Sequence, residues 1–423
     1  MNLWIPYGRE GKLDIDLPDR NLLAVLEPNH VNPENSDPDR ILEKSMSGPI
    51  GGLSLHEFLK DADRLLVLVN DATRPTPTAR VLSLIADEIA PKEPDFLVAT
   101  GIHRHPTEEE YIQIFGKSNY ARFKSHIFSH DARDRDNMVY LGKSTNGTPM
   151  SVNKLGARAD SILVISSVEP HYFAGYTGGR KSFLPGIAAY DTIEQNHKLA
   201  LKPEARTLAL KGNPVHEDMV DALAHVKSRA FAINTVLDKD HRIFATCSGE
   251  IHASLNAAAK KANEIFAVQI HEKADIVISV VKFPGDIDLY QSQKGIDNAK
   301  HALKQGGIII LVSQCRDGIG EKAFARLLSS AGSPARALEE IEKEYKLGYH
   351  KAAKLAEICL WAEIWAVTDI APESLEQIYI RPFDSLEQAI GAAIEKKGRD
   401  AKLLVLMDGG LTVPVLEKRS GEI

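Results

Sequence analysis

Short apolar segments recur along the chain, and longer segments with helical periodicity separate them. Their continuous apolar character is typical of strands that are buried on both faces, as in parallel sheets. The predicted strands are Leu65–Asn70, Phe96–Thr100, Ile162–Ser166, Ala232–Leu237, Ile276–Val281, Ile308–Ser313, Ile364–Thr368 and Leu403–Met407. The predicted helices are Thr78–Ile89, Thr107–Phe115, His216–Lys227, His252–Phe266, Gln293–Lys304, Pro334–Glu344 and Leu386–Lys397. This alternation predicts an α/β fold with mostly parallel sheets.

The length of 423 residues exceeds what one compact core usually holds and suits about two or three domains. An Ala- and Lys-rich helix ends near Val268–Lys273, and a new strand follows it. We therefore predict an N-terminal α/β domain over residues 1–268 and a C-terminal α/β domain over residues 269–399. Because chain ends often lie close together, residues 400–423 are predicted to rejoin the N-terminal domain.

Composition excludes several classes of function. The formal net charge of −7 gives no general attraction to nucleic acid, whose binders usually carry a basic face. The N-terminal residues lack the apolar core of a signal peptide, and no window approaches ~20 continuous apolar residues. The cysteines Cys247, Cys315 and Cys359 are widely spaced, which argues against a zinc ribbon or a disulfide framework. We expect a cytoplasmic protein with no nucleic-acid or membrane partner.

Polar residues follow the first predicted strand. Asp71, Thr73 and Arg74 come directly after Leu65–Asn70, and ligands of open α/β sheets gather at such strand ends. The planar guanidinium of Arg74 suits a carboxylate or a phosphate. The same residue types are common in a turn that caps the following helix, so a purely structural interpretation stays open.

A second polar segment follows the strand Phe96–Thr100. Gly101 permits a close approach of the backbone, and His103 has the chemistry of a general acid or base near neutral pH. His105 is the competing candidate, and a surface histidine without a catalytic role is the alternative for either. The position at a strand end, like that of the first segment, favours a functional role.

The segment Val168–His197 is the most unusual part of the sequence. Its candidate functional residues are His171, Gly178, Gly179, Arg180, Lys181 and His197. The glycines would free backbone amides to face an anion, although the GxxxxGK[ST] pattern of a Walker A loop does not fit. Lys181 has three interpretations: a phosphate ligand, a covalent attachment point for a cofactor, or a solvated surface charge. His197 would lie near the end of a helix, where a histidine is often only a partner of the helix dipole.

A fourth segment follows the strand Ile276–Val281. Gln291 and Lys294 are three residues apart, so they would share one face of a helix, and Tyr290 stands beside them. Polar residues that open a helix are often only caps, which is the structural alternative.

Together these segments resemble the nickel-dependent lactate racemase family, also described as nickel-pincer 2-hydroxyacid racemases and epimerases. The resemblance rests on DxTRP at Asp71, TGxHR at Thr100, and the very specific run EPHxFAGxxGGRK from Glu169, followed by Asn196 and His197. It implies two α/β domains with the active site in the cleft between them.

The resemblance also implies a cofactor, the nickel-pincer nucleotide (pyridinium-3-thioamide-5-thiocarboxylic acid mononucleotide with nickel). Lys181 is expected to carry it covalently, His197 to ligate nickel, and His103 and His171 to form the acid-base pair. The expected substrate-binding residues are Arg74, Tyr290, Gln291 and Lys294, and the further cofactor-binding residues are Asp71, Thr73, Gly178, Gly179 and Arg180. An aromatic residue of the second domain, either Trp361 or Trp365, is expected over the site.

The implied activity is that of an isomerase, which racemises or epimerises a small 2-hydroxy acid such as lactate by hydride transfer to and from the cofactor. The implied partners are that acid and the biosynthetic proteins that load the cofactor. Two other functions stay open: a cofactor-free racemase or lyase that removes the α-proton, and a non-catalytic protein that binds a nickel nucleotide or an anion. The latter would not need both His103 and His171, so their presence favours an enzyme.

Overall fold

The structure, a computed structural model, describes residues 1–33 and 35–417. The strands are Asn2–Tyr7 (β1), Gly11–Asp16 (β2), Leu22–Leu26 (β3), Leu65–Asn70 (β4), Asp95–Ala99 (β5), Ile127–Ser129 (β6), Met138–Lys143 (β7), Pro149–Asn153 (β8), Ser161–Ser167 (β9), Pro170–His171 (β10), Gly175–Tyr176 (β11), Arg229–Leu237 (β12), Ile243–Gly249 (β13), Ala267–Ile270 (β14), Ala274–Val280 (β15), Leu303–Val312 (β16), Glu363–Val367 (β17), Ile380–Pro382 (β18), Leu403–Leu406 (β19) and Val413–Leu416 (β20). The α-helices are Pro38–Ser47 (α1), Leu55–Lys60 (α2), Thr78–Ile89 (α3), Glu108–Phe115 (α4), Lys117–Phe123 (α5), Lys154–Arg158 (α6), Tyr190–Lys198 (α7), Pro214–Leu223 (α8), Ile251–Phe266 (α9), Leu289–Ala299 (α10), Lys322–Ala331 (α11), Pro334–Lys343 (α12), Tyr349–Cys359 (α13), Pro372–Glu376 (α14) and Leu386–Lys397 (α15).

The chain divides into two compact units. The middle unit is His30–Glu264, and the terminal unit is Met1–Asn29 together with the chain from Ile265 onward. This corrects the predicted division in two respects. Residues 1–29 belong with the C-terminal half, and the strand at 403–406 pairs with β15 and β3 in that same half rather than returning to the N-terminal domain. Residues 418–423 of the predicted returning segment lie outside the described residues.

The sheet of the middle unit has the strand order β13-β12-β9-β4-β5-β6. Neighbouring strands are parallel except for β12 and β13, which are antiparallel. The apolar residues of β4 and all of β9 are buried, as expected for inner strands of a parallel sheet. Val67 and Leu163 belong to one apolar cluster with side chains of α1, α2 and α3, which holds these helices against the sheet.

The sheet of the terminal unit has the strand order β18-β17-β16-β15-β19-β3, and every neighbouring pair is parallel. Ile278, Ile310 and Val405 are fully buried on its inner strands, in a cluster that also includes side chains of α15. Each predicted strand therefore corresponds to a strand of one of the two sheets. The predicted fold class, two α/β parts with mostly parallel sheets, is confirmed.

The helix ends follow ordinary capping chemistry. Thr107 forms a capping box with Glu110 at the start of α4, and Ser333 caps α12 with Pro334 at the first helical position. Both starts agree with the sequence prediction. No helix among the described residues is long and apolar enough to cross a membrane.

Candidate active site

Three of the predicted functional segments leave neighbouring strands of the middle unit. Strands β9, β4 and β5 are adjacent and parallel, so their carboxyl ends meet at one edge of the sheet. The segments after Asn70, Ala99 and Ser167 begin there, and the hydroxyls of Thr76 and Ser167 lie 2.9 Å apart. This edge is where open α/β sheets bind ligands.

Asp71 and His103 form a hydrogen-bonded pair at this edge. Oδ2 of Asp71 lies 2.7 Å from Nδ1 of His103, and Oδ1 accepts the hydroxyl of Thr73 at 2.6 Å and its backbone N–H at 3.1 Å. Burial by itself would raise the pKa of Asp71, but the hydrogen bond and charge of His103 outweigh it and hold that pKa below its ordinary value. A carboxylate accepts only, so Nδ1 of His103 carries the hydrogen, and in the neutral ring Nε2 keeps its lone pair.

The competing histidine has a different neighbour. Nδ1 of His105 lies 3.0 Å from Oγ of Ser129, at the end of β6, whereas His103 pairs with the buried Asp71; both histidine side chains are exposed. The backbone N–H of Gly101 ties the loop that carries both histidines to the carbonyl of Gly186, at 3.0 Å. The geometry thus favours His103 over His105 as the residue of the candidate site.

Arg74 is half-buried and lies beside a carboxylate that the sequence analysis did not select. Nη1 of Arg74 is 3.4 Å from Oε1 of Glu169. Glu169 opens the EPH sequence, so its place two residues before His171 was the available signal. The pair connects the segment after β4 to the segment after β9.

His171 is held in a short hairpin formed by β10 and β11, in which it pairs with Gly175. Gly175 has a φ of +77°, and a Cβ there would lie 2.0 Å from the carbonyl oxygen of Ala209, so only glycine fits. The backbone N–H of Ala174 donates to Nδ1 of His171 at 3.3 Å. Neutral His171 therefore carries its hydrogen on Nε2, the opposite tautomer to His103.

Three predicted functional side chains surround the ring of Phe173. The ring centroid lies 4.5 Å from that of His171 and 5.0 Å from that of His197, both edge to face, and 5.6 Å from Nζ of Lys181. Phe173 is 2% exposed and so provides a rigid apolar wall. Sequence reasoning missed it, although it stands within the EPHxFAG run.

Arg180, predicted as a cofactor-binding residue, holds a structural position in the loop. Its guanidinium is fully buried and donates to four backbone carbonyls, those of Ala174 (2.8 Å), Tyr176 (3.1 Å), Thr177 (3.3 Å) and Gly178 (3.4 Å). Burial lowers the pKa of Arg180 to about 9, so it remains charged at neutral pH. Its two terminal nitrogens are directed at the loop itself, whereas its Nε has no hydrogen-bond partner among the described residues. We assign Arg180 to holding the loop that presents Lys181.

The two glycines before Arg180, predicted to face an anion, pack closely against the rest of the middle unit. The N–H of Gly179 donates to Oγ of Ser166 at 3.1 Å and to Oδ1 of Asn234 at 3.0 Å. A Cβ on Gly178 would lie 2.4 Å from Cγ2 of Val168. Both glycines are needed because the loop packs directly on β9 and β12, and the amide of Gly179 is already used there.

His197 lies in α7, is 8% exposed and contacts a buried polar network. Its Nδ1 is 3.2 Å from Oδ1 of Asn196. Nδ2 of Asn196 donates to Oδ2 of Asp218 at 2.8 Å and to the carbonyl of Val215 at 3.2 Å. The sequence identified Asn196 only as part of the family signature. It did not indicate Asp218, which lies in another helix.

The remaining predicted residues lie in the terminal unit. Gln291 and Lys294 stand three apart in α10, as predicted, and Asp288 caps that helix through the N–H of Gln291 at 2.7 Å. Burial raises the pKa of Tyr290 to about 12, and Nζ of Lys351 lies 3.7 Å from its ring centroid. Lys351 was missed, because nothing in its sequence neighbourhood connects it to Tyr290.

The two tryptophans proposed as a cover for the site occupy different environments. Trp365 is 1% exposed, stands in β17 and stacks at a tilt on Phe383, with the ring centroids 4.9 Å apart. It is therefore a core residue of the terminal unit. Trp361 is half-buried and directly follows the helix that ends near Cys359.

No group of three or more His, Cys, Asp and Glu side chains that could hold a metal ion is found in residues 1–33 and 35–417.

Comparison with known proteins identifies the family. The sequence profile of the lactate racemase N-terminal domain matches residues 7–208, and that of the lactate racemase C-terminal domain matches residues 269–415. A protein named lactate racemase from Thermoanaerobacterium thermosaccharolyticum is 33% identical over 430 residues, which cover 99% of this chain and 100% of the relative. The chain belongs to the lactate racemase family. The two main sheets correspond to the two matched domains of that family.

Other comparisons agree with this membership. A lactate racemase from Lactiplantibacillus plantarum is 31% identical over 418 residues, or 96% of this chain and 97% of the relative. The solved structure of the lactate racemase apoprotein from T. thermosaccharolyticum superposes with a TM-score of 0.91 at 31% identity and covers 99% of this chain and 100% of the other. A crystal structure from Thermotoga maritima, with a TM-score of 0.65 at 18% identity over 86% of this chain and 96% of the other, shares the fold.

Proposed function

We propose that this member of the lactate racemase family racemises or epimerises a small 2-hydroxy acid, with lactate as the first substrate to test. Lys181 is assigned as the covalent attachment point of a nickel-pincer nucleotide, His197 as the protein ligand of nickel, and His103 and His171 as the acid-base pair. The observation that carries the proposal is the arrangement of His171, Lys181 and His197 around Phe173. The Asp71–His103 pair at the same sheet edge supports it.

The residues around Phe173 fit such a cofactor. Lys181 offers a primary amine, and His197 offers an imidazole, a donor that suits nickel. Beside Lys181, Oγ of Ser182 and Nε of Arg180 are buried and have no hydrogen-bond partner among the described residues. Buried polar atoms usually have partners, so these two favour a polar group bound next to Lys181. When bound, the cofactor would supply nickel and a ring that accepts and returns hydride.

The two histidines would handle the proton of the substrate hydroxyl. Nε2 of His103 has a lone pair because Asp71 holds the hydrogen on Nδ1, so His103 is prepared to accept a proton. His171 would donate a proton as the imidazolium, because the neutral ring is too weak an acid to give up its Nε2 hydrogen. One histidine would remove the hydroxyl proton of one enantiomer while the α-hydrogen leaves as hydride to the acceptor that the cofactor would supply, and a flat 2-oxo acid would form. Once hydride has returned to the opposite face of the carbonyl carbon, the other histidine would give a proton to the oxygen. After one racemisation, one histidine has gained a proton and the other has lost one. Each returns to its starting protonation state only after the reverse turnover or after proton exchange with water.

A positively charged side chain is needed to bind the carboxylate of the substrate. Arg74 is half-buried, its planar fork suits a carboxylate, and its present neighbour Glu169 is only loosely held at 3.4 Å. We assign Arg74 to this role. Tyr290, Gln291 and Lys294 remain predicted substrate-binding residues of the terminal unit.

The deciding experiment uses protein expressed together with the cofactor-biosynthesis proteins, which the proposal requires as loading partners. Intact mass should show an adduct on the wild-type chain, bound nickel should accompany it, and L-lactate should convert to a racemate. Lys181→Ala should lack the adduct and the activity, whereas Lys294→Ala should keep the adduct. An adduct that survives in Lys181→Ala would contradict the attachment site.

The same samples separate the alternative functions. Turnover by wild-type protein without adduct or nickel would indicate a cofactor-free racemase or lyase. Adduct and nickel without turnover of any 2-hydroxy acid would indicate a nickel-nucleotide-binding protein.

A further inference from the structure

A chain of buried hydrogen bonds leads from Asp218 to His197. Asp218 and Asn196 are fully buried, and His197 is 8% exposed. Oδ2 of Asp218 accepts Nδ2 of Asn196 at 2.8 Å, and Oδ1 of Asn196 lies 3.2 Å from Nδ1 of His197. Burying polar groups this deeply costs free energy unless all their hydrogen bonds are made. The hydrogen bonds therefore fix the positions of these three side chains.

The neighbours of Asn196 fix the orientation of its amide. Nδ2 faces the carboxylate of Asp218 and the carbonyl of Val215, and both of these groups accept only. The amide oxygen must therefore face His197. An amide oxygen also accepts only, so Nδ1 of His197 must carry the hydrogen, and the lone pair of the neutral ring is on Nε2.

Asp218 is itself held by two hydroxyls of the β7–β8 hairpin. Its Oδ1 accepts Oγ of Ser144 at 2.5 Å, and its Oδ2 accepts Oγ1 of Thr148 at 2.7 Å. Ser144 in turn accepts the backbone N–H of Thr148 at 3.0 Å. The carboxylate is thus anchored by a different segment from the one that carries His197, and it can orient Asn196 without moving with it.

We propose that Asn196 and Asp218 are positioning residues for metal binding: they hold His197 in the tautomer, and at the ring angle, in which Nε2 coordinates nickel. This proposal rests on the proposed function, because it takes His197 as the nickel ligand. The physical basis is general, since a histidine that binds a metal with one nitrogen is oriented by the hydrogen bond of the other. We call the hydrogen-bonded chain from Asp218 through Asn196 to His197 the relay. The carboxylate of Asp218 holds the amide of Asn196, and the amide fixes the orientation of the imidazole but cannot take up its proton.

The first test needs no cofactor. NMR of the protein labelled with ring-¹⁵N histidine, at a pH where the histidines are neutral, should show the Nδ1–H tautomer at His197, with the signal assigned by its absence in His197→Ala. Asn196→Ala should lose the fixed Nδ1–H tautomer. Asn153→Ala is the matched control, because Asn153 is also buried, and its Nδ2 lies 3.5 Å from Nδ1 of His130. An Nε2–H tautomer at His197 in the wild-type protein, or an unchanged signal in Asn196→Ala, would overturn the proposal.

The second test measures nickel retention by cofactor-loaded protein against a chelator. Asn196→Ala and Asp218→Ala should bind nickel ~10–100-fold more weakly, the usual cost of losing such a partner. Asp218→Asn should stay near wild type, because its amide oxygen can accept Thr148 and Asn196 while its nitrogen donates to Ser144. Asn153→Ala should retain nickel like the wild type.

The outcomes separate the relay from the ligand assignment. If His197→Ala loses nickel but Asn196→Ala retains it fully, the relay is overturned and the proposed function stands. If His197→Ala itself retains nickel, the ligand assignment of the proposed function has failed, and the relay proposal fails with it. If Asp218→Ala does not fold, Asn196→Ala still decides.

Discussion

Oδ2 of Asp71 lies 2.7 Å from Nδ1 of His103, and this contact sets which nitrogen of His103 can accept a proton. His171 lacks the corresponding arrangement, because its Nδ1 accepts a backbone N–H from Ala174. The two histidines proposed to act on the same substrate thus differ in tautomer before any ligand binds. The proposed role of each histidine therefore depends on a different neighbour, that of His103 on Asp71 and that of His171 on Ala174.

Asp71→Asn should lower racemisation of lactate by on the order of 10²–10⁴-fold. An asparagine cannot accept from both Thr73 and His103, so its amide nitrogen must face one of them. If it faces Nδ1 of His103, the hydrogen of that ring moves to Nε2 and the proton acceptor is lost, an effect of known size in catalytic triads. Steady-state turnover by the loaded enzyme measures this effect. Asp95→Asn is the matched control, since Asp95 forms an exposed pair with His126 at 3.3 Å, and equal losses in both variants would contradict the assignment.

His103→Ala and His171→Ala should each lose racemisation in both directions by on the order of 10²–10⁴-fold, which is typical for removal of a general base. Each variant should still convert one enantiomer, the one served by the remaining histidine, to the 2-oxo acid without completing the reaction. Single-turnover assays with pure D- and L-lactate measure this. Full activity in His103→Ala together with loss in His105→Ala would show that the neighbouring histidine is the catalytic one.

The parts of the fold that the sequence predicts are those in which one local pattern decides the structure. Strand β4 and helices α3 and α15 begin and end at the predicted residues, because their apolar periodicity coincides with strong end signals. The strand Ile243–Gly249 was missed. It pairs antiparallel at the edge of the sheet, and its sequence IFATCSG lacks the continuous Val, Ile and Leu content of the inner strands.

For the candidate site, too, the sequence predicts what a local pattern decides and does not predict what tertiary packing decides. Segments at strand ends could be found from sequence, because a polar residue directly after a buried strand has one favoured location. The direction in which a side chain points could not be found from the sequence. Arg180 stands between a glycine and a lysine, as an anion-binding residue would, yet it is turned inward to four carbonyls. Asp218 lies on an amphipathic helix and reaches Asn196 only through tertiary packing.

Arg180→Met should destabilise the middle unit by at least about 3 kcal/mol, because it leaves buried carbonyls of the loop without donors. The measurement is the unfolding free energy of the protein without cofactor. Arg206→Met is the matched control at an exposed arginine of the same unit and should change stability little. Unchanged stability in Arg180→Met, with loss of cofactor binding alone, would instead support the cofactor-binding role predicted for Arg180 from sequence.

His130 should make the stability of the protein depend on pH below neutrality. The ring is 1% exposed, and burial lowers its pKa to about 4 from the ordinary value near 6.5. The unfolded chain therefore takes up a proton as the pH falls through about 6.5, whereas the folded protein does so only near 4, so unfolding is favoured as the pH falls between those values. The contribution lost is about 3 kcal/mol by about pH 4. Urea unfolding of wild-type protein and His130→Gln at several pH values measures it. The variant should be less sensitive to acid, and an identical pH dependence of the two proteins would show that His130 is not kept neutral by burial.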